Sequence, residues 1–258
     1  MSSSATRALK ILALLGSSGE PLGVTELARR AGLPPGTVFR TLDALQRGAF
    51  AERYRSSSRY VVGPAAFRLR QNFFARFRLR ELALPHLLKI AAASGETTSL
   101  VVPIGWHGLR VAVARGGNEI TQASPLGTLG PLAGHYAGRA LLAHMGDERI
   151  NAYAAWANTQ SNELAAVLAP IQARGFAIDD SRAVPGRSAL ALPVRLAGDP
   201  IASIAIEGPV LDLAHTHGTA AWTTELEALE RQVALRPELA ANPYAHLDPT
   251  LVTLDGGT

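Results

Sequence analysis

Residues 24–47 read VTELARRAGLPPGTVFRTLDALQR, and this stretch decides the fold of the N-terminal third. Its apolar side chains have helical spacing up to Gly32, which stands where a left-handed residue ends a helix. The two prolines that follow suit the first turn of a second helix, which we expect to end near Arg47. Two short helices joined at a glycine predict a helix-turn-helix.

The flanking residues extend this motif into a winged helix. A helix is predicted over residues 7–16, with Thr6 as its N-terminal cap. After the helix-turn-helix, residues 50–55 and 59–62 alternate between apolar and polar side chains around a serine-rich turn, which predicts a β-hairpin. We therefore expect a winged helix-turn-helix domain over residues 1–63.

The charge of the chain is distributed unevenly. Residues 1–80 contain 14 Lys and Arg against four Asp and Glu, a net charge of +10, whereas residues 81–258 contain 11 against 17, a net charge of −6. A basic module joined to an acidic remainder favours binding to a polyanion, with a merely solvated basic surface as the alternative. Arginines and polar side chains near helix ends suit base-edge and phosphate contacts in DNA. The DNA-contacting residues that we expect are Thr25, Pro35, Thr37, Arg40, Thr41, Arg53, Arg55 and Arg59.

The segment that follows is rich in phenylalanine and arginine. Pro64 opens a predicted helix over residues 65–93, which could be interrupted at Pro85. So much apolar surface would be unfavourable on a solvent-exposed linker. Residues 64–84 are therefore predicted as a linker helix that packs against another subunit in a homodimer or tetramer. Packing of this surface inside its own chain is the alternative.

From Thr97 the apolar pattern changes to strands with helices between them, and this order predicts an α+β domain over residues 85–236. The tail of residues 237–258 contains three prolines and two adjacent glycines and is expected to be loosely ordered. Strands are predicted over residues 97–104, 109–114, 189–195 and 200–207, and helices over residues 138–145, 162–173 and 223–233.

Sequence motifs for catalysis and metal binding are absent. The chain contains no cysteine and lacks the G-x-S-x-G, H-E-x-x-H and G-x-G-x-x-G patterns. His215 and His217 could form a metal pair, but no third ligand stands nearby in sequence. We therefore expect no catalytic residues, no metal and no cofactor, with a small-molecule enzyme fused to a winged-helix domain as the alternative. No membrane span or secretory signal is visible, which favours a cytoplasmic protein without membrane contact.

Residues 134–138, GHYAG, precede a predicted helix. Amide groups at a helix N-terminus bind anions, so this loop could hold a carboxylate. An ordinary N-terminal cap formed by His135 is the alternative.

Five stretches of the chain carry a resemblance when they are taken together: RALKILALLGSSGEPLGVTELARRAGLPPGTVFRTLDALQRGAF (7–50), SGETTSLVV (94–102), LAGHYAGRALLAHM (132–145), IQARGFAIDDSRAVPGRSALALPV (171–194) and IASIAIEGPV (201–210). In this order they resemble the IclR-type bacterial transcriptional regulators. The resemblance extends to about residue 235 and implies a winged helix-turn-helix, a GAF-like effector domain with an antiparallel sheet, a dimer or tetramer, and binding to double-stranded operator DNA.

The resemblance also locates an effector site and shows where this chain departs from the family pattern. Tyr136 replaces a small residue, Ala189 and Ala205 stand where many members have cysteine and serine, and Glu207 replaces a second serine. We expect a ligand-responsive regulator whose effector is larger or more apolar than a two- or three-carbon keto acid, such as an aromatic or acyl carboxylate. A domain that binds nothing is the alternative. The effector-contacting residues that we expect are Gly134, His135, Tyr136, Asp179, Ala189 and Ala205.

Overall fold

A computed structural model of the chain describes residues 3–55, 57–117, 125–179, 187–209 and 219–244. The chain forms two compact units, which divide between Ala75 and Arg76.

The N-terminal unit has the predicted winged helix-turn-helix fold. Its three-stranded antiparallel sheet has the strand order Leu22–Gly23, Arg59–Val62, Ala51–Arg53. The first helix begins earlier than expected, because Ser3 rather than Thr6 is its N-terminal cap and accepts a hydrogen bond from the Thr6 amide. The elements are α1 (Ser4–Ser17), β1 (Leu22–Gly23), α2 (Val24–Ala31), α3 (Pro35–Arg47), β2 (Ala51–Arg53), β3 (Arg59–Val62) and α4 (Ala65–Phe74).

The turn between α2 and α3 is formed as the sequence predicts. Gly32 has a left-handed backbone with a φ of 63°, and its amide donates to the Arg29 carbonyl. The Leu33 amide donates to the Ala28 carbonyl at 3.0 Å, which completes a Schellman motif. Ala28 is buried where the two helices meet. This geometry holds α3 on the apolar core of the unit.

The single helix expected over residues 65–93 is wrong, and the break does not fall at Pro85. The break falls at residues 75–77, and Pro85 lies inside the next helix. Phe77 is the reason for the break, because its side chain is buried in the C-terminal unit, with its ring 5.6 Å from the Tyr244 ring. The predicted linker segment is therefore divided between the two units.

The C-terminal unit is the expected α+β domain with a six-stranded antiparallel sheet. The elements of this unit are α5 (Arg78–Ser94), β4 (Thr97–Ile104), β5 (His107–Ala114), β6 (Leu129–Pro131), a 3₁₀ turn (Leu132–Gly134), α6 (Tyr136–Leu142), α7 (Asp147–Trp156), α8 (Ser161–Arg174), β7 (Ala177–Asp179), β8 (Arg187–Leu196), β9 (Asp199–Pro209), α9 (Thr219–Leu235) and α10 (Pro237–Ala240). The sheet order is β6-β5-β4-β9-β8-β7.

Helices cover both faces of this sheet. On one face, α5 packs against β4 and β5, and Thr98 donates to the Leu87 carbonyl at 2.9 Å. Successive strand residues point to opposite faces, so Ser99 points to the other side, where α6 packs on β8 and β9. Ala137, Ala191 and Ala205 are fully buried there. These small side chains let α6 approach the sheet closely.

The expectation of a loosely ordered tail from Pro237 is wrong for its first eight residues. Leu239 and Ala240 are buried, and the Asn242 side-chain amide donates to the Pro103 carbonyl. The rest of the predicted tail, residues 245–258, lies outside the described residues. In the part of the chain that is described, each helix is too short or too polar to cross a membrane.

Candidate DNA-binding surface and effector site

Helix α3 exposes a face on which Arg40 is central. Val38 and Leu42 are fully buried on the opposite side of the helix, and Arg40 lies roughly half a turn away from them. Arg40 forms no ion pair with another described residue, whereas Arg47 pairs with Asp43 at 2.9 Å. The guanidinium of Arg40 is therefore available to a ligand of this face.

The other predicted contacts near α3 differ in exposure. Thr25 and Pro35 are exposed at the starts of α2 and α3, whereas Thr37 and Thr41 are half-buried. The Thr41 hydroxyl donates to the Thr37 carbonyl at 2.8 Å, which leaves its oxygen lone pairs as acceptors. Sequence reasoning missed Phe39, whose side chain is 51% exposed. The sequence feature that could have indicated Phe39 is that this apolar residue lies outside the spacing of the buried residues of α3.

The three predicted arginines of the wing share one hairpin and differ in their surroundings. The Arg55 guanidinium lies 5.1 Å from the centre of the Tyr54 ring, and the Arg53 guanidinium lies 5.8 Å from that of Tyr60. Arg59 Nη1 donates to the Pro21 carbonyl at 3.1 Å, which ties the wing to β1. Arg53 and Arg55 thus lie against aromatic rings, whereas Arg59 is bonded to the backbone next to β1.

Two further arginines of this unit are held along α2. Glu26 accepts from Arg29 at 2.7 Å and from Arg30 at 2.5 Å. Hydrogen bonds from Arg29 and Arg30 lower the pKa of Glu26 to about 2. Glu26 also lines a shallow cavity of about 450 Å³ with Arg59. Charges of both signs line this cavity.

In the C-terminal unit, three strands bring a row of effector-site candidates together. Asp179 of β7 is paired with Ala189 of β8, and Ala189 is paired with Glu207 of β9. Ala205 lies two residues from Glu207 on the same face, fully buried beneath α6. Asp179, Ala189 and Ala205 therefore share one face of the sheet, whereas Gly134 is exposed in the 3₁₀ turn.

A buried ion pair that sequence reasoning missed lies beside this row. Arg110 of β5 is 5% exposed, and its Nη2 lies 2.5 Å from Oε1 of Glu207. Its Nη1 donates to the Ser99 hydroxyl at 2.9 Å, and the Tyr136 hydroxyl donates to Glu207. The signal for Arg110 was a lone arginine within the apolar strand HGLRVAVA. Tyr136, a predicted residue, thus belongs to a four-residue polar network.

Burial and charge shift the pKa values in this network. Burial lowers the pKa of Arg110, but the charge of Glu207 and the bonds from its neighbours outweigh this effect and raise the pKa. Burial and the Glu207 charge raise the pKa of the Tyr136 phenol. Arg110 is therefore charged and Tyr136 is protonated at neutral pH.

His135 caps helix α6. Its Nδ1 accepts from the Gly138 amide at 3.0 Å, so the cap alternative is the one that the structure contains. The ring lies so close to Gly108 that a Cβ there would approach Nε2 to 2.9 Å. Burial, with the charges of Arg110 and Arg139, lowers the pKa of His135 to about 4. The imidazole is therefore neutral at pH 7 and accepts through Nδ1.

The remaining candidates show how charges are placed at the edge of the site. Asp179 lies 3.8 Å from Arg139 Nη2, and both side chains are about one quarter exposed. Among the described residues, no three His, Asp or Glu side chains are grouped as metal ligands would be. His215 and His217, which the sequence analysis considered as a metal pair and did not adopt, lie outside those residues.

Comparisons with known proteins give the family. The family model for the IclR helix-turn-helix domain matches residues 4–54, and the model for the bacterial transcriptional regulator IclR C-terminal domain matches residues 71–235. The HTH-type transcriptional regulator BhcR of Paracoccus denitrificans is 34% identical over 233 residues, which cover 86% of this chain and 83% of that protein. The transcriptional repressor IclR of Escherichia coli is 27% identical over 219 residues, which cover 80% of each.

A solved structure has a similar fold. It is an IclR homologue from Microbacterium hydrocarbonoxydans in complex with 4-hydroxybenzoate, with a TM-score of 0.74 and 20% sequence identity, and it covers 90% of this chain and 100% of its own. The sequence-based prediction of a regulator rather than an enzyme is confirmed, and the chain belongs to the IclR family of bacterial transcriptional regulators, which join a helix-turn-helix DNA-binding domain to a C-terminal effector-binding domain.

Proposed function

We propose that this regulator binds a double-stranded operator through α3 and the wing. The observation that carries the proposal is the exposed face of α3, where Arg40 has no ion-pair partner among the described residues. An arginine on the outer face of a recognition helix can donate two hydrogen bonds to guanine in the major groove. The wing arginines Arg53 and Arg55 are exposed and suit phosphate or minor-groove contacts.

Fluorescence anisotropy with the purified protein tests this proposal. The probe is the DNA upstream of the protein's own gene, and DNA of random sequence and equal length is the control, each at two salt concentrations. We expect the upstream fragment to bind about 10³-fold more tightly than the random one. Equal, salt-sensitive binding to every candidate operator fragment would instead make this surface a general nucleic-acid site.

We propose that the regulator acts as a homodimer or tetramer. The exposed side chains of Phe67 and Leu69 on α4 support an intermolecular contact, because they are 56% and 60% exposed. Two-fold symmetric regulators of this architecture read two half-sites.

A DNA-binding regulator acts where the chromosome lies, so the proposed location is the bacterial cytoplasm. Repression is the proposed mode of action, since relatives named as repressors are 27% identical to this chain.

We propose that a small organic effector binds in the C-terminal unit, at the α6 side of the sheet. The row of Asp179, Ala189 and Glu207 faces the N-terminal end of α6, where Tyr136 stands. The small side chains of Ala189 and Ala205 favour an effector with an aromatic or extended apolar body. The IclR homologue with 4-hydroxybenzoate shows that this architecture can hold such a molecule. Adding candidate effectors to the anisotropy assay tests the coupling between the two sites.

A further inference from the structure

We propose that Glu207 occupies the anion-binding position of Arg110, so that the effector presents an uncharged hydrogen-bonding group to this part of its site. The inference rests on the proposed effector site and names the chemical class of its ligand. Glu207 is then a specificity-determining residue, and it excludes from this position the carboxylate that the sequence led us to expect in the effector.

The charges of Arg110 and Glu207 already balance each other within the chain. Glu207 and Arg110 are 1% and 5% exposed, and their side chains lie 2.5 Å apart at the closest atoms. An arginine buried without a partner carries a large desolvation penalty and attracts any small anion. In this chain a carboxylate of its own already provides that partner. A ligand that brings a second negative charge to Arg110 would therefore face Glu207 in a medium that screens poorly.

Most of the donors that a carboxylate needs are already in use. The Tyr136 hydroxyl hydrogen is donated to Glu207, and Arg110 Nη1 donates to the Ser99 hydroxyl. The His135 imidazole, neutral at pH 7, accepts a hydrogen bond from the Gly138 amide. This amide at the N-terminus of α6 is therefore not available to an anion. A carboxylate could accept from Arg110 Nη2 only by displacing Glu207, which would leave that buried charge without its partner.

One donor of Arg110, its Nε–H group, stays available to a ligand. Within the described part of the chain, Arg110 Nε is buried and has no hydrogen-bond partner. A carbonyl or hydroxyl oxygen could accept from such a donor without adding charge to the pair. A site with a buried, unpaired donor discriminates strongly between a ligand that pairs it and one that does not. An amide, ester, ketone or alcohol therefore fits this position better than an acid.

Chemical rescue of Glu207→Ser by acetate tests the inference. The substitution removes a group of the size and charge of acetate and leaves Arg110 without its carboxylate partner. All three tryptophans (Trp106, Trp156 and Trp222) belong to the C-terminal unit, so tryptophan fluorescence reports its thermal unfolding. We expect acetate to raise the melting temperature of Glu207→Ser by at least about 3 °C more than acetamide does, and to give the wild-type protein no such difference.

A matched variant separates the Arg110 site from general effects of the salt. Glu227→Ser removes a carboxylate that is 58% exposed, and its melting temperature is expected to respond equally to acetate and acetamide. Equal responses of Glu207→Ser to acetate and acetamide would contradict the inference. The rescue needs no known effector, so it gives its answer even if the domain has no effector and the proposed function fails.

A second measurement keeps the inference testable if Glu207→Ser does not fold. Isothermal titration of the wild-type protein compares 4-hydroxybenzoate with 4-hydroxybenzamide, which differ in charge and little in shape. We expect the acid to bind no more tightly than the amide. An acid that binds about tenfold more tightly than the amide, with a preference lost in Arg110→Met, would overturn the inference.

Discussion

Nδ1 of His86 lies 2.6 Å from Oε2 of Glu225, and this contact joins α5 to α9. The His86 side chain is 4% exposed, and Lys89 Nζ lies 3.3 Å from Glu225. Burial raises the pKa of Glu225, but the bonds from His86 and Lys89 outweigh this effect and lower the pKa below its ordinary value of 4.5. The ionised carboxylate therefore stabilises the packing of the two helices.

Glu225→Gln should destabilise the C-terminal unit in a pH-dependent manner. A carboxyl group with a lowered pKa stabilises the fold above its ordinary pKa, and this contribution is lost as the pH falls towards the folded value. We expect the variant to lose about 1–3 kcal/mol at pH 7, as for a hydrogen bond to a charged group. The loss should shrink below pH 4.5, the ordinary value, as wild-type Glu225 also becomes protonated.

Urea unfolding followed by tryptophan fluorescence measures this difference, and Glu227→Gln is the control. Glu227 lies two residues further along α9, is 58% exposed and pairs with Arg231 only at 3.7 Å. Its substitution should change the unfolding free energy by less than about 0.5 kcal/mol. Equal effects of the two substitutions would show that the contact with His86 adds nothing to stability.

Gly138→Ala should disrupt the packing of α6 against the 3₁₀ turn that precedes it. A Cβ at this position would lie 2.2 Å from the Leu132 carbonyl oxygen and 2.7 Å from its Cα, both of which are backbone atoms. We expect a loss of about 2–4 kcal/mol in the urea unfolding of this unit, because α6 and the 3₁₀ turn that contains Leu132 must move apart. Gly134→Ala is the matched control, since its nearest neighbours would lie at 3.8 Å, and an equal loss there would refute the packing argument.

The sequence predicted the N-terminal unit well because its signals are local. Buried Leu27 and Val38 follow helical spacing, and Gly32 adopts the left-handed backbone that its position requires. The break after α4 was missed because it depends on tertiary packing rather than on local sequence. Phe77 is buried in the other unit, whereas Pro85, the stronger local breaker, is carried inside a helix that packs on the sheet.

The effector-site candidates were predictable only in part. The resemblance led to Tyr136 and Ala189, and strand pairing brings Ala189 beside Glu207. The partnership of Arg110 with Glu207 could not be read from one sequence, because the two residues are 97 positions apart and lie on strands separated by β4. Non-local pairing of this kind depends on the sheet order, which periodicity does not determine.

Arg40→Ala should weaken binding to the specific operator more than binding to random DNA. A bidentate arginine contact contributes about 1–3 kcal/mol of discrimination, so we expect a loss of about tenfold to 100-fold in specific affinity. Arg47→Ala is the control, because Arg47 is on the same helix and pairs with Asp43 at 2.9 Å. Anisotropy measures both fragments, and an equal loss on each would make Arg40 a phosphate contact.

Arg55→Ala should act on the salt dependence of DNA binding. If the wing contacts phosphate, removal of one arginine reduces the slope of log affinity against log salt concentration by about one. The affinities for specific and random DNA should fall by similar factors. Arg231→Ala removes the same charge from α9, where Arg231 pairs with Glu227, and should leave the slope unchanged. An unchanged slope in Arg55→Ala would remove this side chain from the interface.

The double substitution Phe67→Ser and Leu69→Ser should dissociate the proposed oligomer. Both side chains are more than half exposed on α4, and burial of a large apolar side chain contributes about 1.5–3 kcal/mol. Each substitution occurs twice in a two-fold interface, once in each subunit, so the dissociation constant should rise by more than about 100-fold. Sedimentation velocity measures the change, and Leu235→Ser, at a residue that is 82% exposed on α9, is the control. A wild-type monomer, or equal association of both variants, would place these side chains outside any subunit contact.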